Sequence, residues 1–94
     1  MSREHYRKRI ADKRKDIVGL RADIAELKER KKSKMESLTR SIKSATGSNK
    51  EYYRKQKISE GERYVRDIER KQDKIEDVKK EIESLKRSLA SSSK

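Results

Sequence analysis

YVRDIERKQDKIEDVKKEIESLKRSL, residues 64–89, is the stretch that decides the fold. Tyr64, Ile68, Lys71, Ile75, Val78, Ile82, Leu85 and Leu89 recur at alternating steps of four and three, the spacing that lays an apolar seam along one side of an α-helix. So narrow a seam is not stable alone in water and calls for a partner helix. The upstream chain supplies one. Tyr6, Ile10, Ile17, Leu20, Ile24 and Leu27 mark a stripe of the same period, with Lys13 at the expected apolar position between Ile10 and Ile17. The stripe then runs through Lys31 to Met35, Leu38, Ile42 and Ala45. Its two successive steps of four, from Leu27 to Lys31 to Met35, form a stutter that relaxes a left-handed supercoil. A straighter or looser segment is therefore expected near residues 28–36.

The two stripes are separated by Ala45-Thr46-Gly47-Ser48-Asn49-Lys50-Glu51. Gly47 suits the left-handed residue that ends a helix, and Lys43 lies in the preceding turn, where a cation favours the exposed carbonyls. Ser48 and Glu51 have capping-box spacing and mark the next helix start. At the other end, Ser2 is a candidate N-cap, with Glu4 in the first turn. The alternative is one long helix that tolerates an interior glycine, at a cost of about 1 kcal/mol. The expected fold is all-α: an antiparallel two-helix coiled-coil hairpin with helix 3–45, turn 46–49, helix 50–90 and a frayed tail 91–94. Folded that way, residue numbers across the contact add to about 95, which sets Leu27 opposite Ile68, Leu20 opposite Ile75 and Ile17 opposite Val78. The same register brings Leu38 to the Ile58 region, Ile42 to Tyr53, Met35 to Gly61 and Lys31 to Tyr64.

Composition agrees with helices and argues against a globular core. Of 94 residues, 49% are charged and 29% apolar, and Phe, Trp, Pro and Cys are absent. Such values fit either a disordered chain or a long surface helix, and the heptads decide for helix. Acids placed four residues before a base, such as Glu62 and Arg66 or Glu83 and Arg87, each add a few tenths of a kcal/mol of helix stability. A small single core seldom supplies more than about 3–5 kcal/mol, and this one carries lysines at positions 13, 31 and 71. Self-association follows as an expectation, most simply two hairpins forming a four-helix bundle. Ala11, Val18 and Ala25 repeat every seven residues beside the main stripe. They either widen the face that a third or fourth helix covers or are helix formers on a wet surface. The interface residues of the hairpin and its oligomer are then Ile10, Ile17, Leu20, Ile24, Leu27, Met35, Leu38, Ile42, Tyr64, Ile68, Ile75, Val78, Ile82, Leu85 and Leu89. Gly47, Ser48 and Glu51 make the turn.

The function classes open to such a chain are few. His5 is the sole histidine and there is no cysteine, so a His/Cys metal site cannot be assembled. A narrow helix pair offers no pocket to desolvate a carboxylate pair, and no Gly-rich phosphate loop or nucleophile elbow occurs. The expectation is a non-enzyme with no cofactor and no small-molecule substrate. No apolar run approaches the roughly 20 residues that cross a bilayer, and no signal-peptide core is evident near Met1, so a cytoplasmic setting is expected. The formal net charge is +12. Lys28, Arg30, Lys31, Lys32 and Lys34 form a basic belt, with Arg63 and Arg66 across from it, and these seven are the candidate contacts to an anionic partner. A second cluster, Arg7 to Lys15, faces Lys86 and Arg87. Two readings stay open for these cations. One is salt-sensitive, sequence-independent binding of nucleic acid through its phosphates. The other is a solvated or protein-facing surface with interleaved charges. The expected partner is a second copy or another helical protein, with nucleic acid, or a secreted or phage-assembly protein that this chain accompanies as a small chaperone, as alternatives.

Tyr6-Arg7-Lys8-Arg9-Ile10-Ala11-Asp12, the Lys-rich segment after Glu29, the Ser/Thr-rich stretch Ser37 to Ser48, and Tyr64-Val65-Arg66-Asp67-Ile68-Glu69 leading to Ile75, Val78 and Ile82 follow one another in an order that resembles a known family. It is that of the N-terminal coiled-coil regions preceding TIR domains in bacterial TIR proteins. The resemblance spans nearly the whole chain. It implies a role in multimerisation, because such coiled coils assemble TIR domains whose NAD cleavage or signalling depends on association. No TIR domain is present in this sequence, so no catalytic residue is carried over.

Overall fold

The computed structural model describes Ser2–Ser92 as two helices, α1 (Arg3–Ser44) and α2 (Ser48–Ser92), in an all-α helical hairpin. α1 begins where its cap predicts. The Ser2 hydroxyl oxygen accepts a hydrogen bond from the His5 backbone N–H at 3.2 Å, and the Ser2 carbonyl accepts from His5 and Tyr6 at 3.1 and 3.4 Å. The His5 N–H, one of the donors that a helix start leaves unpaired, is thereby satisfied, and Glu4 stands in the same turn.

α1 ends through its serines. The Ser44 hydroxyl donates to the carbonyls of Arg40 and Ser41, and the Ala45 N–H donates to Ser41 at 3.0 Å. Lys43 lies in the last turn. The chain then reverses at Gly47, whose φ of 59° is the left-handed conformation that a side chain disfavours. The break is shorter than the expected 46–49: only residues 45–47 are outside a helix, and Ser48 and Glu51 belong to the first turn of α2. With Gly47 turning the chain, helix resumes at the next residue, so Ser48 stands inside the helix rather than capping it from outside. α2 also continues to Ser92, past the expected end at residue 90, where the Ser92 hydroxyl donates to the Leu89 carbonyl at 2.8 Å. The remainder of the expected tail, residues 93–94, lies outside the described residues.

The chain divides into two compact helix pairs: residues up to Asp23 pack with those from Lys71 on, and Ile24–Arg70 forms the other pair, which contains the turn. In the terminal pair, Lys13 Nζ meets Glu81 Oε2 at 2.6 Å and Lys71 Nζ meets Asp23 Oδ2 at 3.3 Å. In the turn-containing pair, a Cβ at Gly61 would lie 3.7 Å from Met35 Sδ. All three pairings match the expected register to within one residue.

Each pair has a seam for its core, and the two are unevenly filled. Ile10, Ile17, Ile75, Val78, Ile82 and Leu85 are buried in the terminal pair, but only Ile24, Leu38 and Ile68 in the turn-containing pair. The cause is legible in α2. From residue 50 to 64 its inward positions are Lys50, Tyr53, Lys57, Gly61 and Tyr64, all half-buried, whereas its apolar Ile58 falls off the seam and is 63% exposed. In the region that the register sets opposite Leu38, Ile58 itself is therefore turned to solvent. Around the stutter, Leu27, Lys31 and Met35 are likewise only half-buried. Two successive steps of four, as from Leu27 to Lys31 to Met35, carry the stripe round the helix and away from its partner.

Candidate interaction surface

All nine buried residues are among the fifteen seam residues, and the other six (Leu20, Leu27, Met35, Ile42, Tyr64 and Leu89) are half-buried. One partner helix thus covers the seam fully at nine positions and in part at six. What is left for function is the outside of the hairpin. Four large apolar side chains stand there: Val18 at 66%, Tyr52 at 58%, Ile58 at 63% and Val65 at 40% exposure. Ala11 and Ala25, which flank Val18 at heptad spacing, are exposed as well.

The three seam lysines are all half-buried, and two of them carry ion pairs across the terminal helix pair. Lys13 donates a hydrogen bond to Glu81 and adds its positive charge, which together hold the Glu81 carboxyl below the usual carboxylate range. Lys74 and Arg9 add smaller electrostatic contributions of the same sign, against a minor opposing effect of desolvation. The third lysine, Lys31, lines a groove of about 660 Å³ with Met35, Lys57, Ile58, Gly61 and Val65, rimmed by Glu62 and Arg66. Tyr64 lines a different groove, with Glu26, Glu29, Arg30 and Lys34.

That arrangement divides the basic belt. Lys31 and Arg66 converge on the first groove, while Arg30 and Lys34 line the second, where Arg30 is held by Glu26 at 2.6 Å. Lys28, Lys32 and Arg63 are exposed and line neither groove. In the terminal pair, Arg14 and Lys86 of the second cluster share a groove with Val18, Arg21 and Lys79 above the buried Ile17 and Ile82. Lys57 and the exposed Ile58–Val65 pair were not singled out as site residues from sequence. Their seven-residue spacing was the signal, obscured because it runs beside the seam rather than in it.

Nothing in this geometry concentrates chemistry. Among the described residues no polar side chain is buried and no group of three His, Cys, Asp or Glu is placed to hold a metal ion. No described helix is long and apolar enough to cross a membrane. His5 is exposed and stacks edge-on to Tyr6, with ring centres 6.1 Å apart. Comparison of the chain with protein-family models, curated proteins and solved structures returns no match.

Proposed function

We propose that this chain is a non-catalytic coiled-coil assembly module, which joins copies of itself and thereby gathers whatever protein it is attached to or bound by. The observation that carries the reading is the set of exposed apolar side chains at Val18, Tyr52, Ile58 and Val65 on a hairpin whose own core is a single seam. Exposed apolar surface of this kind is costly in water and is removed by association. Two hairpins pairing as a four-helix bundle would cover it. Following the resemblance to coiled coils that precede TIR domains, the cargo we propose is a TIR signalling domain, whose activity would rise with proximity.

The division of the basic belt over two grooves counts against a nucleic-acid role, because tracking a phosphate backbone is best served by one continuous cationic face. The deciding experiment is sedimentation of the 11.1 kDa chain across micromolar concentrations. A species of at least twice that mass is expected, and a monomer throughout removes the reading.

A further inference from the structure

We infer that two copies of this chain meet through the Ile58–Val65 face of α2, in an antiparallel contact with two-fold symmetry. The inference rests on the self-association reading and names its surface. Ile58 and Val65 are seven residues apart and so lie within about 20° of one another around the helix. Both are exposed, and beside them the groove is floored by Met35 and Gly61. With no side chain at Gly61, whose Cβ would meet Met35 Sδ at 3.7 Å, that floor stays low enough to receive an apolar knob from another helix.

Charge selects the occupant. The chain as a whole carries +12, yet around Ile58 and Val65 the same face of α2 presents three acids, Glu51, Glu62 and Glu69, and three bases, Arg54, Lys55 and Arg66. None of these six enters an ion pair within the described residues, although six ion pairs form elsewhere. Apart from the groove cations Lys31 and Lys57, this face is balanced and internally unpaired, which suits its own copy. With a two-fold axis between Gly61 and Glu62, Ile58 lies over Val65 of the second copy and Arg54 lies over its Glu69, each contact occurring twice. The Glu62 carboxylate then points toward Lys31 and Lys57 on the rim of the other groove. Parallel pairing would set Glu62 on Glu62 and Arg54 on Arg54, like charge on like, whereas the antiparallel register leaves one such pair, Arg66 over Lys57. An acidic helix from another protein would satisfy the rim cations but meet the three acids of the face.

The test uses the full chain. Arg54→Glu and Glu69→Arg, both at exposed positions, are each expected to weaken self-association at least tenfold at low salt with helicity unchanged, and the double variant to restore it. Because the chain has no cysteine, oxidation of an equal mixture of Ile58→Cys and Val65→Cys should give covalent dimers, and either variant alone few. A wild-type dimer that ignores the charge swaps, or an Ile58→Cys chain that cross-links to itself, overturns this face or its orientation while the assembly reading stands. A wild-type chain that is monomeric at all concentrations overturns both. Binding of a Glu-rich amphipathic helical peptide in this groove by such a monomer replaces the second copy with a different occupant.

Discussion

Lys13 and Lys71 occupy seam positions where the heptad asks for an apolar side chain, and each meets a carboxylate of the opposite helix. The alkyl stems lie along the seam while the ammonium groups reach its edge. Both pairs are partly exposed, so each adds little stability on its own. For the Lys13–Glu81 pair the sign with pH is nonetheless fixed. The Glu81 carboxyl is held below its unfolded value, so its contribution is complete above the ordinary carboxylate range and is lost as pH falls through the folded value. Glu81→Gln should therefore lower the thermal midpoint slightly at neutral pH, and the difference from wild type should vanish in acid, as read by circular dichroism. Ile75, buried at 7% exposure, is a different kind of residue. Ile75→Lys should cost at least the roughly 2–5 kcal/mol of truncating such a side chain, whereas Asp73→Lys at an exposed position should stay within about 0.5 kcal/mol. Residues like Ile75 were legible in the sequence, since alternating steps of four and three name every buried side chain. Ile58 was not. Hydrophobicity suggests an inward position there, and only the geometry of α2 shows that Lys57 and Gly61 hold the seam instead.

At the scale of elements, the turn depends on one residue. Gly47 is the single described residue with positive φ, and Gly47→Ala should destabilise the hairpin by about 1–2 kcal/mol, measurable by urea unfolding. Gly47 marks the turn in the sequence without ambiguity, but the exact helix start does not follow from it. The Ser48/Glu51 pair has capping-box spacing whether the helix begins outside or inside it, and the backbone resolves this by resuming helix immediately after the glycine. The two helix pairs also differ in filling, with six buried side chains in the terminal pair against three in the turn-containing pair. Amide hydrogen exchange should accordingly be faster between Leu27 and Tyr64 than between Ile75 and Leu85, since local opening follows the density of buried apolar contacts. The stutter through Lys31 predicts that looser segment from sequence alone. Its counterpart in α2 was hidden, because a run of polar seam positions looks like ordinary helix surface.

For the whole molecule, the account is one of incomplete burial. A hairpin of this composition encloses one seam and leaves Val18, Tyr52, Ile58 and Val65 outside, and its charges are dispersed except where the face of α2 balances them. Fold class and register were available from periodicity, because a heptad repeat states both which side of a helix is buried and what length of partner it needs. The interaction surface was not, since it consists of residues that the repeat leaves over. Self-association of the wild-type chain is read by sedimentation equilibrium over micromolar concentrations. The account predicts a concentration-dependent rise from 11.1 kDa to at least twice that mass, steeper at moderate salt than at low salt because screening relieves the +12 repulsion. A single 11.1 kDa species at every concentration and salt would contradict it.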